Sequence, residues 1–306
     1  MVIFVFKKEH VVKESKWQWI TAGIVFAILW ASASTATKTG LISAQPLIIA
    51  VVRFGVASII MLFITHGIQR NRLPAGKEWN QLTVYGLLNI TVYLGFYVVA
   101  MTHVTAGIGA LAVASNPVFI SVMSVFILKK TLQLPVIAGI FICISGIICA
   151  ALPLLEGSAI NVQGLLILFL SMLSYSLGAI YYSTKEWKGL SLFTINGWQT
   201  LIGGLLLLPF ALFYYNDSDN RFDLNFWLSV LWLAIPVSIV AVQLWLWLLQ
   251  TDAVNGGLWL FLCPLFGILI AAFIVNDPIS IYTTAGVILV IGGLFVSRLG
   301  SKQKPS

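Results

Sequence analysis

Apolar runs of roughly twenty residues alternate with short polar turns along most of the chain. A helix needs about 20 apolar residues to cross a hydrocarbon core of about 30 Å, so each run is long enough to span a bilayer. The pattern predicts ten spans, which we number 1 to 10 in chain order: Trp19–Thr37, Gln45–Thr65, Leu82–Met101, Gly107–Leu128, Leu132–Leu152, Val162–Ser183, Ser191–Tyr214, Phe226–Leu249, Val254–Val275 and Ile279–Ser297. The expected fold is an all-α membrane protein.

The composition leaves little chain for anything else. Hydrophobic residues make up 59% of the 306 residues and charged residues only 9%, whereas soluble domains are about 25% charged. A soluble catalytic or nucleic-acid-binding domain is therefore excluded. The opening residues, MVIFVFKKEH, lack the long apolar region and small-residue cleavage site of a signal peptide, so we expect span 1 to be retained.

The distribution of basic residues predicts the orientation. With the N-terminus inside, 14 of the 17 Lys and Arg residues fall in cytoplasmic tails and turns, whereas the ten acidic residues divide equally. An excess of Lys and Arg marks the cytoplasmic side of a membrane protein, and acidic residues contribute little to this rule. We therefore predict that both termini are cytoplasmic and that the net charge of +7 marks topology, with no nucleic acid as a partner.

The two halves of the chain share a repeat. A proline, a charged corner and two glycines of the first half recur 147 residues later. The pairs are Pro117 and Pro264, Lys130 and Asp277, Gly139 and Gly286, and Gly146 and Gly293. Because each half would contain an odd number of spans, the halves should have opposite orientations, as in many secondary transporters.

The repeat divides the chain into five regions. They are a cytoplasmic tail (1–16), a first repeat holding spans 1–5 (17–152), a short external linker (153–160), a second repeat holding spans 6–10 (161–298) and a cytoplasmic tail (299–306).

Motifs spread over residues 17–298 resemble the EamA-type drug/metabolite transporter family. Span 1 has Trp30 eight residues before Lys38, and span 2 has Pro46 seven residues before Arg53 and Phe54. Span 4 reads AGIGALAVASNPVF, and span 9 repeats its pattern as GGLWLFLCPLF before the corner VNDPIS. The chain departs from the family at Lys130, where a Glu is usual. The resemblance implies a ten-helix inner-membrane carrier that exports small metabolites, often amino acids.

Arg53 is a charged residue deep inside span 2. An arginine at the centre of a membrane helix costs about 2.5–3.5 kcal/mol on insertion scales, so such residues have a defined partner or function. One interpretation is that its guanidinium binds a substrate carboxylate. The other is that Arg53 ties span 2 to backbone carbonyls of a neighbouring broken helix.

Prolines near the middle of spans 4, 8 and 9 predict kinks. They are Pro117, Pro236 and Pro264, and each removes a backbone hydrogen bond. We interpret them as candidate hinges around a central site, with static kinks as the alternative. Asn116, beside Pro117, would hydrogen-bond either a substrate or its own helix.

Further candidates for substrate binding come from aromatic and polar residues. Spans 1, 3, 6 and 9 line the cavity according to the resemblance, which selects Trp30, Tyr97, Tyr175 and Trp259. Ser34 lies in a hydroxyl-rich run of span 1 that suits either close packing or a polar path. Gln199 and Gln243 are further polar candidates. Gly139, Gly146, Gly286 and Gly293 are expected to pack helices closely.

Several kinds of chemistry find no support in the sequence. The three cysteines are best interpreted as small buried hydrophobic residues, and no metal-binding or phosphate-binding motif is present. We therefore expect no catalytic activity, metal or cofactor, and a small molecule and the lipid bilayer as partners. A monomer and a homodimer both remain open.

The favoured function is export of a small metabolite, such as an amino acid, by alternating access across the bacterial cytoplasmic membrane. This preference for a carboxylate-bearing substrate rests on one buried arginine and no acid within a span. Efflux of cationic or aromatic compounds is the alternative within transport. A lipid scramblase is a third possibility, whereas a membrane-embedded enzyme would need acids or histidines at membrane depth.

Overall fold

The computed structural model describes residues 16–129, 134–156, 162–251, 257–277 and 279–301, and these form helices and turns without any strand. Lys130, residues 157–160 of the predicted linker and most of both predicted tails lie outside the described residues.

The described part of the first half of the chain contains seven α-helices. They are α1 (Lys16–Leu41), α2 (Pro46–Leu62), α3 (Lys77–Gly86), α4 (Tyr93–Ala100), α5 (Ala106–Ala114), α6 (Asn116–Leu128) and α7 (Leu134–Glu156). A π-helical segment, Phe63–Ile68, continues α2, and another, Leu87–Val92, joins α3 to α4.

The described part of the second half contains six α-helices. They are α8 (Val162–Thr184), α9 (Leu192–Phe213), α10 (Leu224–Trp232), α11 (Val242–Thr251), α12 (Cys263–Ile274) and α13 (Ile281–Ser301). The π-helical segment Leu233–Ala241 joins α10 to α11, and the 3₁₀ segment Gly257–Leu262 precedes α12.

Six continuous helical stretches of the described chain are long and apolar enough to cross a membrane. A seventh is formed if α5 and α6, which are bent by 46° relative to each other, make one span. Three further apolar stretches are shorter: Leu134–Ala150, Cys263–Ile274 and Ile281–Ser297. The structure therefore gives a helical membrane protein with six or seven full-length spans by this measure.

The chain forms two compact units, and each unit draws on both halves of the sequence. Unit 1 contains residues 1–35, 104–162 and 240–306, and unit 2 contains residues 36–103 and 163–239. Neither unit coincides with a sequence repeat, because packing partners come from opposite halves of the chain.

In unit 1, α7 and α13 cross at the four glycines that the sequence analysis selected for packing. A Cβ on Gly139 would lie 2.5 Å from the Gly293 carbonyl oxygen, and one on Gly146 would lie 2.8 Å from the Gly286 carbonyl oxygen. The pairing order shows that the two helices run antiparallel. Any side chain at these positions would force the backbones apart.

Also in unit 1, α5 packs against α12. A Cβ on Gly267 would meet the Cβ of Ala110. The Asp277 carboxylate, which follows α12, accepts a hydrogen bond from the Gly107 backbone N–H at 3.1 Å. An acidic group at a helix N-terminus is favourable because it satisfies a free N–H and opposes the helix dipole. Asp277 therefore caps α5.

In unit 2, α9 packs antiparallel to α2. A Cβ on Gly197 would lie 2.9 Å from Leu62, and one on Gly204 would lie 3.1 Å from Phe54. On another face α9 runs parallel to α3, where a Cβ on Gly203 would lie 2.6 Å from the Gly86 carbonyl oxygen. Small residues thus let three helices approach closely.

Helix α8 packs antiparallel to α3, α4 and the π-helical segment between them. Ser174 donates to the Leu88 carbonyl at 2.7 Å, and Ser171 donates to the Tyr93 carbonyl at 2.8 Å. Hydroxyl groups that reach a neighbouring backbone are a common means of joining helices in lipid.

Helix α3 begins at Lys77, five residues before the predicted start of span 3. Glu78 therefore lies in its first turn, where it is 3% exposed. Its carboxylate accepts two hydrogen bonds from the Arg72 guanidinium, both at 2.7 Å, and one from the Ala75 N–H at 2.8 Å. Because the paired acid is stable at a helix N-terminus, the helix starts earlier than its apolar run.

Candidate functional site

Arg53 lies on α2 in unit 2 and is 5% exposed. Its Nε and Nη2 atoms donate to the Ser238 hydroxyl oxygen at 3.2 and 3.0 Å. Ser238 in turn donates to the Leu233 carbonyl at 2.8 Å, within the π-helical segment that contains Pro236. These contacts match the second interpretation of Arg53, in which it ties its helix to a broken neighbour, with Ser238 as the intermediary.

Tyrosines lie near this arginine. Tyr93 and Tyr97 are 6% and 3% exposed and lie on α4, which packs against the helix that carries Arg53. The ring of Tyr93 lies 6.3 Å from that of Tyr97 and 4.9 Å from that of Tyr175. The structure thus brings three predicted site residues, Arg53, Tyr97 and Tyr175, into one cluster. Tyr93 joins them, and its position one helical turn before Tyr97 is the signal that would have selected it.

Gln199 on α9 is 4% exposed and belongs to a polar network in unit 2. It accepts a hydrogen bond from Asn89 Nδ2 at 3.1 Å and donates to Asn196 Oδ1 at 2.9 Å. Sequence reasoning selected Gln199 but missed both partners: Asn196 lies one turn earlier on the same helix, whereas Asn89 reaches Gln199 only because the π-helical segment Leu87–Val92 packs against α9.

The candidates in unit 1 lie in or beside an aromatic cluster. Trp30 packs beside Phe26, with ring centroids 5.8 Å apart. Trp259 packs directly on Gly23, and its ring lies 5.3 Å from that of Trp19. Both tryptophans take part in a cluster built on α1, α11 and the start of α12. Both tryptophan side chains therefore contribute to the packing of unit 1.

The polar candidate residues in unit 1 differ from one another in burial and in hydrogen bonding. Ser34 on α1 is 2% exposed, and Gln243 on α11 is half-buried. Asn116 is the first residue of α6 and is 4% exposed, and neither its Nδ2 nor its Oδ1 atom has a hydrogen-bond partner. Asn116 thus differs from Gln199 and Arg53, whose polar groups are bonded within the protein.

Each candidate hinge proline lies at an irregularity of its helix. Pro117 lies in the first turn of α6, immediately after the break at Ser115, and Pro264 lies in the first turn of α12, after a 3₁₀ segment. Pro236 lies inside a π-helical segment. Pro236 has no N–H to bond the carbonyl one turn earlier, which explains the irregular backbone around it, whereas Pro117 and Pro264 lie in the first turn of a helix, where no such bond is needed.

Titratable groups outside the helices serve local structure. Asp223 accepts a hydrogen bond from the Phe226 N–H at 3.1 Å at the start of α10, and this bond holds the pKa of the Asp223 carboxyl below its usual value. Tyr215 donates to Asp217 at 3.0 Å, which raises the pKa of the tyrosine. Among the residues that the structure describes, no three His, Cys, Asp or Glu side chains converge on a possible metal site.

Comparison with known proteins identifies the relatives of this chain. The model of the EamA-like transporter family matches residues 17–152 and, separately, residues 162–299. Protein PecM of Dickeya dadantii is 27% identical over 277 residues, covering 88% of each chain. An uncharacterized transporter of Archaeoglobus fulgidus is 24% identical over 286 residues, covering 90% of this chain and 96% of its own.

A solved crystal structure shows the same fold. It is 18% identical, covers 95% of this chain and 100% of its own, and superposes with a TM-score of 0.65. Since the family model covers nearly the whole sequence in two consecutive matches, the chain belongs to the EamA-like transporter family of the drug/metabolite transporter superfamily.

Proposed function

We propose that this membrane transporter is a secondary carrier that moves small metabolites across the bacterial cytoplasmic membrane by alternating access. The observation that carries the proposal is the double match to the family model, one to each half of the chain. Two structurally related halves of opposite orientation can exchange conformations, and that exchange exposes a central site to each side in turn.

Ten spans in two inverted repeats are the proposed architecture. Its support comes from the directions of packed helices within each unit. Strict alternation of ten spans requires spans 2 and 7, 3 and 6, 4 and 9, and 5 and 10 to run in opposite directions, and spans 3 and 7 to run in the same direction. The helices that correspond to these spans are α2 and α9 (spans 2 and 7), α3 and α8 (spans 3 and 6), α5 and α12 (spans 4 and 9), and α7 and α13 (spans 5 and 10). Their contacts within each unit agree with all five requirements.

The glycine crossing supports an inverted relation between the repeats. Adding 147 to Gly139 gives Gly286, and adding 147 to Gly146 gives Gly293. The observed contacts pair Gly139 with Gly293 and Gly146 with Gly286. Exchanging the two repeats therefore converts one contact into the other, as a two-fold relation between α7 and α13 would require.

The substrate class we favour is a carboxylate-bearing metabolite such as an amino acid, moved outwards. Arg53, Tyr97, Tyr175 and Gln199 in unit 2 and Trp30, Ser34, Asn116, Gln243 and Trp259 in unit 1 remain the proposed binding residues. Pro117, Pro236 and Pro264 remain the proposed hinges, because an irregular helix bends with less loss of hydrogen bonding than a regular one.

The test is untargeted metabolomics of the culture medium, comparing a bacterial strain that overproduces the protein with one that lacks it. We expect an amino acid or related carboxylate to accumulate outside the overproducer. Purified protein in liposomes should then show saturable counterflow of that compound. An organic cation as the transported solute would favour the efflux alternative, and lipid movement without saturable solute flux would contradict transport.

A further inference from the structure

Polar contacts fasten both ends of the α2–α9 helix pair in unit 2. The two helices run antiparallel, so the start of each lies beside the end of the other. At each end, the segment that follows one helix bonds to the turn that precedes its partner. A helix of 22 residues, such as α9, is about 33 Å long, so the two fastenings lie at opposite faces of the membrane.

The first fastening joins the segment after α2 to the turn before α9. Asn71 Nδ2 donates to the hydroxyl of Ser191, the N-cap residue of α9, at 3.1 Å. Arg72 Nη2 donates at 2.9 Å to the carbonyl of Lys188, three residues before that N-cap. The paired bonds from Arg72 to Glu78 hold the guanidinium in place. We call the contacts of Asn71 and Arg72 with the α9 turn the first latch.

The second fastening joins the segment after α9 to the turn before α2. Asn220 Nδ2 donates at 2.8 Å to Oε1 of Gln45, the N-cap residue of α2, and Asn220 Oδ1 accepts from the Gln45 N–H at 2.9 Å. Arg221 Nη2 donates at 3.2 Å to the carbonyl of Ile42, again three residues before the N-cap, and the Arg221 N–H donates to the Ser43 carbonyl at 2.7 Å. We call these contacts the second latch.

The two latches are equivalent when the sequence repeats are exchanged. The N-cap residues Gln45 and Ser191 are 146 positions apart, and Asn71 and Asn220 are 149 positions apart, close to the 147-residue repeat distance. In both latches an asparagine reaches the N-cap residue, and the arginine after it reaches the carbonyl three residues earlier. An inverted repeat requires such a pair, one at each face of the membrane.

Both latches are closed in the same structure. In a carrier made of inverted repeats, exchanging the conformations of the repeats converts the inward-open state into the outward-open state. In either open state, two equivalent contacts that served as gates would therefore differ, one closed and one open. Equivalent contacts that are closed together instead fit a part of the protein that keeps its shape.

Packing between the latches also favours a fixed pair. A Cβ on Gly197 would lie 2.9 Å from Leu62, and one on Gly204 would lie 3.1 Å from Phe54, so the helices are already in close contact along their length. Packed interfaces have discrete arrangements and resist continuous sliding. Separation of the helix ends would break the hydrogen bonds of a latch at no gain in packing.

We propose that the two latches stay closed throughout transport and hold α2 and α9 as one rigid pair, so that the conformational change which moves the solute leaves this pair intact. The proposal rests on the transport function proposed above. It gives Asn71, Arg72, Asn220 and Arg221 a role in holding the helix pair, separate from solute binding and from gating.

The experiment locks each latch by a reversible covalent link in the full chain in proteoliposomes. The cysteine pairs are Asn71→Cys with Ser191→Cys for the first latch, and Asn220→Cys with Gln45→Cys for the second. A short, membrane-permeable bismethanethiosulfonate links the thiols, and a reductant releases them. The cross-linking yield of each pair is measured by mass spectrometry, and flux is measured as counterflow of a radiolabelled mixture of the proteinogenic amino acids.

The controls separate the link from the substitutions. The single variants Asn71→Cys and Asn220→Cys receive the same reagent without forming a link across a latch, and the unaltered chain with its three cysteines gives the background. If a pair fails to fold, exposed neighbours carry the thiols with a longer reagent of the same type: Gln69 and Glu186 for the first latch, and Ile42 and Phe222 for the second.

We expect both pairs to cross-link to the same high yield. A link across a contact that is the same in both conformations shifts no equilibrium between them, so flux should stay within about twofold of that of the reduced protein. Each link should also raise the unfolding temperature of its variant in detergent, because it replaces the lost hydrogen bonds. Locking both latches in one molecule should give the same result.

Three results would overturn the proposal. A complete link at one latch and a poor link at the other would show that the latches are in opposite states in the membrane. A loss of flux of about tenfold or more on locking, restored by reductant, would show that a latch opens in each cycle and is a gate. If the unaltered protein moved no solute and metabolomics showed no difference, the transport function would fail and the role of the latches in transport with it, whereas the cross-linking yields would still decide whether both are closed together.

Discussion

At the scale of single residues, the hydrogen bonds of Arg53 follow from the burial of its charge. A guanidinium inside a membrane protein is stable only with hydrogen-bond partners, and here two of its nitrogen atoms share the hydroxyl of Ser238. The serine also bonds to the Leu233 carbonyl. One small side chain therefore supports both a charge and an irregular helix.

The first prediction concerns Ser238→Ala. It removes the acceptor of the Arg53 guanidinium, and a hydrogen bond to a charged group contributes about 1.5–3 kcal/mol, so the free energy of unfolding should fall by roughly 2 kcal/mol. Thermal unfolding in detergent measures the loss. Ser58→Ala is the control, since the Ser58 hydroxyl on the same helix donates only to the Gly55 carbonyl of its own helix. Equal stability of the two variants would contradict this assignment.

A second residue-scale prediction concerns the turn between α9 and α10. Asn220 donates to Gln45 Oε1 at 2.8 Å and to the Asn216 carbonyl at 2.7 Å, and accepts from the Gln45 N–H at 2.9 Å. Asn220→Ala should therefore cost about 1–3 kcal/mol of unfolding free energy. Asn225→Ala, at an exposed position, should change it by less than about 0.5 kcal/mol. Chemical or thermal denaturation in detergent compares the two.

At the scale of helices, close packing depends on the absence of side chains. The backbones of α7 and α13 meet at Gly139, Gly146, Gly286 and Gly293, where a Cβ would lie 2.5–2.8 Å from a backbone oxygen of the other helix. In a bilayer, van der Waals packing replaces the hydrophobic effect as the force between helices, so such approaches are important for stability.

Alanine substitutions at Gly286 and Gly292 are therefore expected to have opposite effects on stability, although both glycines lie on α13. A Cβ on Gly286 would lie 2.6 Å from the Gly146 carbonyl oxygen, so the helices must separate, at a cost of about 1–3 kcal/mol. A Cβ on Gly292 meets nothing within 4 Å, and alanine should stabilise the helix by up to about 1 kcal/mol. Melting temperatures in detergent test the pair. A stable Gly286→Ala variant would argue against the observed crossing.

At the scale of the whole molecule, the units and the sequence repeats divide the chain differently. Each unit contains helices from both halves of the chain. These helices pack against each other although they lie far apart in sequence. A repeat that packs mainly against its counterpart has no separate core. We therefore expect neither half to form a stable protein alone.

Membrane orientation is also a property of the whole chain. Gln69 follows the second predicted span of the first repeat, and Ser218 follows the second predicted span of the second repeat, so inversion places them on opposite sides. In intact cells, an impermeant thiol reagent should label Ser218→Cys and spare Gln69→Cys, whereas both should react after permeabilisation. The unaltered chain, with Cys143, Cys149 and Cys263 within helices, gives the background. Labelling of both variants from outside would refute the inverted repeat.

Local and periodic features of this protein were predictable from its amino-acid order. Helical class follows from the lengths of the apolar runs, because lipid leaves a backbone few other ways to satisfy its hydrogen bonds. The spacing of Gly139, Gly146, Gly286 and Gly293 predicted close helix packing but not which helices meet there, and Pro117, Pro236 and Pro264 predicted kinked helices. Each of these depends on one residue type or on one repeat distance.

The partners of the polar side chains were not predictable, because they lie far away along the chain. Arg53 and Ser238 are 185 positions apart, and Asn89 and Gln199 are 110 apart. The sequence shows that Arg53 and Asn116 are polar residues within apolar segments, but only helix packing decides that the arginine is bonded and the asparagine is not. Hydrogen bonding requires atoms within about 3 Å of each other, and in these cases the folded arrangement alone brings them that close.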